Sequence, residues 1–287
     1  MNLQSVFKAA SIDEALKLLN EYSDRAKIIA GGTDIVIELK ERKLKAEVMI
    51  DIADIAELRF IKDAGDYVEI GAATTFTDMW TNELLDSEFK GLAEAARSVG
   101  SPQIRNRGTV GGNIANGSPA ADTVPPLMAL DATCVIKSLN GEREVALKNL
   151  HTGKGSVDIK GDELLYSIKV NKLGSKGALG FSKLGLRNAL AISRLSVAVS
   201  VKVDESGICT ESMIGSGSLS RCPERESKIE ELLVGKKLDE ATLEEVACAF
   251  EDHIKERLAG RSTMEFKSEA VKGAFKDALT KAAMQLN

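Results

Sequence analysis

Aromatic residues make up only 4% of this chain, histidine occurs twice, and the four cysteines form no closely spaced pair. Each shortage closes a route. Few aromatics leave little surface for stacking nucleic-acid bases, and a net charge of −5 repels a phosphate backbone. Cys134, Cys209, Cys222 and Cys248 include no CxxC and read as buried free thiols, not as zinc or iron–sulfur ligands. His151 and His253 stand near no acidic or cysteine cluster in the sequence, which leaves little material for a metal site or a catalytic triad. No apolar run reaches the roughly 18 residues of a membrane span, and the opening MNLQSVFKAASIDEALKLL lacks a charged-then-apolar secretion pattern. A cytoplasmic location is the expectation. If the chain is an enzyme, a cofactor supplies its reactivity.

What is present is enough for two or three compact cores: 287 residues, 44% of them apolar. Ser11 and Glu14 make a capping box ahead of the helical stripe Ile12, Ala15, Leu16 and Leu19. Short strands are expected over 27–30, 48–52, 58–61 and 67–70, and helices over 77–85 and 92–99. Residues 100–126 carry four of the five prolines and five glycines, a density that predicts a long shaped loop. Strands resume over 133–136 and 164–170. Beyond residue 174, strands over 180–184, 196–204 and 208–215 precede three helical stretches. The expected class is α+β (mixed α/β), with one unit over 1–173, itself split at about residue 55, and a second over 174–287.

Two glycine-rich segments stand out. Ile28-Ile29-Ala30-Gly31-Gly32-Thr33-Asp34-Ile35 runs from a strand into a helix, where open N–H groups and bare backbone suit an anion. An ordinary tight turn capped by Thr33 or Asp34 explains the same residues. Gly108-Thr109-Val110-Gly111-Gly112-Asn113 has the composition of a concave nest of backbone donors. Neither segment has the Gly-Lys-Ser/Thr ending of a P-loop or the GxGxxG of a dinucleotide fold. Two such loops suit a ligand with two phosphates, held by backbone dipoles and not by arginines.

These segments, together with Ser118-Pro119-Ala120-Ala121-Asp122 and the stretch from Gly180 to Ile192, resemble one family in order and spacing. It is the FAD-binding subunit of molybdenum hydroxylases, which include xanthine dehydrogenase, nicotinate dehydrogenase and aerobic carbon monoxide dehydrogenase. The resemblance spans nearly the whole chain. It implies a two-subdomain FAD-binding fold of the vanillyl-alcohol-oxidase type, with a C-terminal α+β domain covering the flavin. Carried over by position, Ile28, Ile29, Ala30, Gly31, Gly32, Thr33, Asp34 and Ile35 would wrap the pyrophosphate. Thr109, Val110, Gly111, Gly112 and Asn113 would grip the cofactor from the other side. Asp122 would hydrogen-bond it at a hydroxyl; Gly100 and Leu165 match further contacts. Lys183 would lie near the flavin and Ile192 beside the isoalloxazine.

Each position also has a plain structural reading. Asp122 caps a turn, Lys183 is a solvated strand lysine, and Ile192 is core packing. Arg105 and Arg107 fit loop anchoring or partner contact and stay outside the site. No cysteine-bearing insertion precedes the second domain and no His or Cys falls in the glycine motifs. The expectation is noncovalent FAD and no metal in this chain. The function implied is electron transfer, from [2Fe-2S] clusters on one partner of a molybdopterin-binding large subunit to NAD+ or another acceptor. Two alternatives stay open: a stand-alone FAD-dependent oxidase or dehydrogenase, and a noncatalytic scaffold.

Overall fold

The computed structural model describes residues 3–187 and 190–286. Its N-terminal part is built on three parallel strands, with Val48–Asp51 between Ser5–Lys8 and Ala26–Ile29. Parallel strands need a crossover, and the helix Ile12–Tyr22 supplies it. Ser11 Oγ accepts from the Glu14 N–H at 3.2 Å, while the Glu14 carboxylate reaches back to the Ala10 N–H at 2.8 Å. The cap therefore forms shifted by one residue from the expected box. Ala15, Leu16 and Leu19 then pack against Val48 and Ile50.

The central sheet is antiparallel, in the order Ile61–Asp63, Tyr67–Gly71, Leu164–Asn171, Thr133–Ser138 and Gly141–Ala146. Its core includes Phe89, Leu92, Val110, Ile114, Leu127 and Ile168. Residues 58–61 fall mostly outside a strand, because Ala56–Leu58 winds into a 3-10 turn. The helix expected over 77–85 is two, Phe76–Trp80 and Glu83–Glu88, separated where Asn82 caps the second through the Leu85 N–H.

The proline-rich stretch 100–126 differs most from expectation. It is not a long loop but carries Pro102–Arg105, Val110–Ala115 and the start of Val124–Ala129. Pro102 and Pro125 sit in first turns, where a missing N–H costs nothing, and Ser101 and Thr109 cap their helices.

The last sheet is Gly177–Leu184, Leu195–Val203, Cys209–Gly217 and Glu224–Arg225. The alternation in Leu195–Val203 sends Val197, Val199 and Val201 toward the helices Glu240–Arg257 and Met264–Gln285. The other face sends Leu179, Phe181 and Ala198 into the central core. Glycines set the spacing on both faces. A Cβ at Gly180 would stand 1.9 Å from the Ala278 carbonyl oxygen, and one at Gly215 would stand 2.0 Å from that of Pro125.

Candidate functional site

The strand Ala26–Ile29 ends at the first glycine segment, which turns into the helix Ile35–Lys40. Gly32 makes the turn at φ +74°, a region that side chains disfavour. Among the described residues, nothing accepts from the N–H groups of Gly31, Gly32, Thr33, Asp34 or Ile35; the first donor is Val36, to the Gly32 carbonyl at 3.2 Å. Asp34 sits at the N-cap but does not cap: its carboxylate accepts from Thr33 Oγ1 at 3.3 Å. The ordinary capped turn is therefore absent, and successive open amides remain. Ile28 and Ala30 pack against the N-terminal core, and Ile29 is held through its carbonyl by the Ile52 N–H at 2.9 Å.

The two glycine segments meet backbone to backbone. A Cβ on Gly31 would lie 1.9 Å from the Arg107 carbonyl oxygen and 2.9 Å from the Gly108 Cα. In the second segment most amides are already engaged. The N–H groups of Val110 and Gly111 donate to the carbonyls of Thr74 and Ala72 at 3.0 and 2.9 Å. Those of Gly112 and Asn113 donate to Thr109, at its hydroxyl (3.1 Å) and its carbonyl (2.9 Å). Asn113 Oδ1 accepts from Thr123 Oγ1 at 2.7 Å. The donor nest foreseen here is thus already spent on protein acceptors over 110–113, and Gly111 serves close approach: a Cβ there would meet Ala72 at 2.6 Å. The supporting run Gly71-Ala72-Ala73-Thr74-Thr75 escaped sequence reading. Its signal was five small residues beginning at the last residue of a strand.

Asp122 and Lys183 lie 61 residues apart in sequence and pair at 2.6 Å, with side chains 9% and 10% exposed. Lys183 also donates to the Ser98 carbonyl at 3.0 Å, at the end of the helix Lys90–Ser98. It is not a solvated lysine. Burial pushes the Asp122 carboxyl up to about 6, against the opposing pull of Lys183. Its second oxygen, Oδ1, is buried with no hydrogen-bond partner. A buried carboxylate oxygen without a donor is costly, and a hydroxyl donor there would relieve that cost. Asp122 caps no turn.

Gly100 adopts φ +42°, a Cβ there would stand 2.9 Å from the Ile104 side chain, and Arg105 Nη1 donates to the carbonyls of Val99 and Gly100, both at 3.1 Å. Arg105 therefore anchors a loop. Leu165 sits at a bulge in its strand with its side chain in the central core. Ile192 is 82% exposed, so it is not core packing. Asn188 and Ala189 of the same loop lie outside the described residues.

The sparse reactive side chains are accounted for individually. His151 is buried, its ring held at the Ile114 carbonyl at 3.1 Å, and burial lowers its pKa. Contrary to the sequence reading, His253 does meet an acid: it lies 3.6 Å from Glu226, which pairs with Arg257 and Ser216. Cys134 and Cys209 are buried, their thiols pushed up to about 12 and about 11 by burial; Cys222 is half-buried and Cys248 exposed, so only two of the four fit the expected buried thiols. Among the described residues, no group of three or more His, Cys, Asp or Glu is placed to hold a metal ion. No described helix is long and apolar enough to cross a membrane.

Comparison with known proteins decides the lineage. A family described as the FAD binding domain in molybdopterin dehydrogenase matches residues 2–172, and the CO dehydrogenase flavoprotein C-terminal domain matches residues 181–282. This chain belongs to the FAD-binding medium subunits of molybdenum hydroxylases. The FAD subunit of nicotinate dehydrogenase from Eubacterium barkeri is 36% identical over 274 residues, covering 94% of this chain and 93% of that one. The glyceraldehyde dehydrogenase medium chain of Sulfolobus acidocaldarius is 31% identical, covering 93% and 94%. The solved carbon monoxide dehydrogenase of Hydrogenophaga pseudoflava superposes with a TM-score of 0.91 at 27% identity, over 99% of this chain and 98% of that one. As a medium subunit, this chain is an oxidoreductase flavoprotein, and FAD is its cofactor. The open amides of the first glycine segment and the orphaned Asp122 Oδ1 fit a molecule that carries both a diphosphate and hydroxyls.

Proposed function

We propose that this chain is the electron-transfer subunit of a molybdopterin-dependent hydroxylase. The open amides of Gly31 to Ile35 carry the reading, since they offer a diphosphate five unspent donors in one turn. FAD, when bound, supplies a redox centre that takes electrons from [2Fe-2S] clusters on a partner and passes them to NAD+ or another acceptor. The chain's own residues bind and orient. Gly31 to Ile35 hold the diphosphate, and Arg107 and Gly108 back that turn. Asp122 Oδ1 accepts from a cofactor hydroxyl, while Lys183 and the Ser98 carbonyl fix the carboxylate's direction. The exposed Ile192 keeps an apolar side chain available for the flavin ring.

The substrates in the relatives' names (nicotinate, glyceraldehyde and carbon monoxide) differ while this subunit stays alike. That supports a chain that moves electrons, with the hydroxylated substrate and the molybdopterin on a large partner subunit. The test uses the partners that co-purify with the chain. Prereduced and mixed anaerobically with the FAD-loaded chain, they should bleach its visible flavin bands. Flavin bands that persist beside a reduced iron–sulfur partner contradict the proposal.

A further inference from the structure

Of the two histidines, His151 is the buried one, 8% exposed, and the site described above makes no use of it. Its Nε2 lies 3.1 Å from the Ile114 carbonyl. A carbonyl only accepts, so Nε2 carries the proton. Burial keeps the ring uncharged, which leaves Nδ1 a bare acceptor, buried and without a partner. The ring thus makes one directed bond. Leu147 and Leu150, just before it in sequence, sit fully buried in the central core and hold its strand in place.

That bond ends on an element that needs support. The helix Val110–Ala115 is six residues long and contains Gly111 and Gly112, too short and too rich in glycine to persist by itself. Its first turn is fastened through the Val110 and Gly111 amides to Thr74 and Ala72. Its last carbonyls need donors from elsewhere. At Ile114 these are the Gly117 N–H, at 3.1 Å, and His151. The hairpin that His151 opens adds a second contact, from the Gly155 N–H to the Gly117 carbonyl at 2.9 Å.

The same short helix bears on the cofactor site at both ends. Thr109, its cap, follows Gly108, which backs Gly31. Asn113, next to Ile114, accepts from Thr123 Oγ1 at 2.7 Å, and the fully buried Thr123 directly follows Asp122. A displacement at Ile114 is therefore passed to the Asp122 segment across a single hydrogen bond.

We infer that His151 is a positioning residue for the FAD site: its bond to the Ile114 carbonyl holds the helix Val110–Ala115 where Asn113 and Thr123 set the direction of Asp122. This rests on the Asp122 contact proposed above. His151 itself touches none of the residues assigned to the cofactor and acts only through the helix.

The measurement is the FAD affinity of the full chain, stripped of flavin and titrated with FAD, with thermal unfolding run alongside. His151→Leu fills the same space without the donor and should weaken FAD binding about fivefold, the scale of one lost hydrogen bond. His151→Gln returns an amide N–H close to the place of Nε2 and should restore affinity to within about twofold. Thr123→Val keeps the shape and cuts the relay, so adding H151L to T123V should cost little more. Equal affinity in wild type and H151L overturns the inference. So does an H151Q as weak as H151L, which would reduce the histidine to packing, or full additivity of H151L and T123V, which would disconnect the helix from Asp122. If leucine at 151 prevents folding, T123V alone reads the relay: a loss of about fivefold supports it and wild-type affinity overturns it. The paired variant D122A/K183M leaves no buried charge behind. Unchanged affinity there refutes the Asp122 contact itself, whereas affinity lost there and kept in H151L refutes the role of His151 alone.

Discussion

At the scale of single residues, the buried pair of Asp122 and Lys183 governs how the site responds to pH. The Asp122 carboxyl titrates near 6 in the fold, against 3.8 when unperturbed, so the native state holds the extra proton between those values. Its contribution to stability is therefore present below about pH 4 and is lost as pH rises through about 6, by about 3 kcal/mol. Asp122→Asn should remove this component: denaturant midpoints of variant and wild type should differ between pH 4.5 and pH 7 in the manner of one lost titration. Parallel pH profiles would contradict it. Lys183→Met strands the carboxylate without its cation, and should cost about 3–5 kcal/mol at neutral pH by chemical denaturation. A change within about 0.5 kcal/mol would show the pair to be inconsequential.

At the scale of elements, the two glycine segments form one object because Gly31 lies on the Arg107 carbonyl. Gly31→Ala places a methyl where that oxygen stands, and should destabilise the chain by about 1–3 kcal/mol. Gly153→Ala, with open space around its Cα and no left-handed φ, should stay within about 0.5 kcal/mol. Thermal unfolding of the two variants side by side checks the contrast. The glycine segments, the valine alternation and the long C-terminal helices were legible because each is a local pattern of a few turns. Residues 100–126 were misread because prolines signal both loops and first turns, and of the two proline-bearing helices only the one at Pro102 has a side-chain cap, Ser101, to mark it. The Val110 and Gly111 amides looked free because their acceptors, Thr74 and Ala72, lie some forty residues upstream, while those of Gly112 and Asn113 turn back to Thr109. The pairing of Asp122 with Lys183 was out of reach for the same reason: both residues were named, but nothing local joins them.

At the scale of the molecule, the poverty of histidine, cysteine and aromatic residues has a coherent meaning. On the proposed function, backbone amides, one carboxylate and one lysine hold a cofactor whose own chemistry moves the electrons. The C-terminal sheet lends one face to its own helices and the other to the central core. That arrangement fixes Lys183 over Asp122 and brings the Ile192 loop beside them. The account stands most directly on one measurement, the flavin occupancy of the purified full chain from its visible spectrum, for wild type and Gly31→Ala together. It predicts a yellow wild type carrying about one FAD per chain and a folded variant that has lost most of it. A wild type that stays colourless with added FAD, or a Gly31→Ala variant that keeps full occupancy, would contradict it.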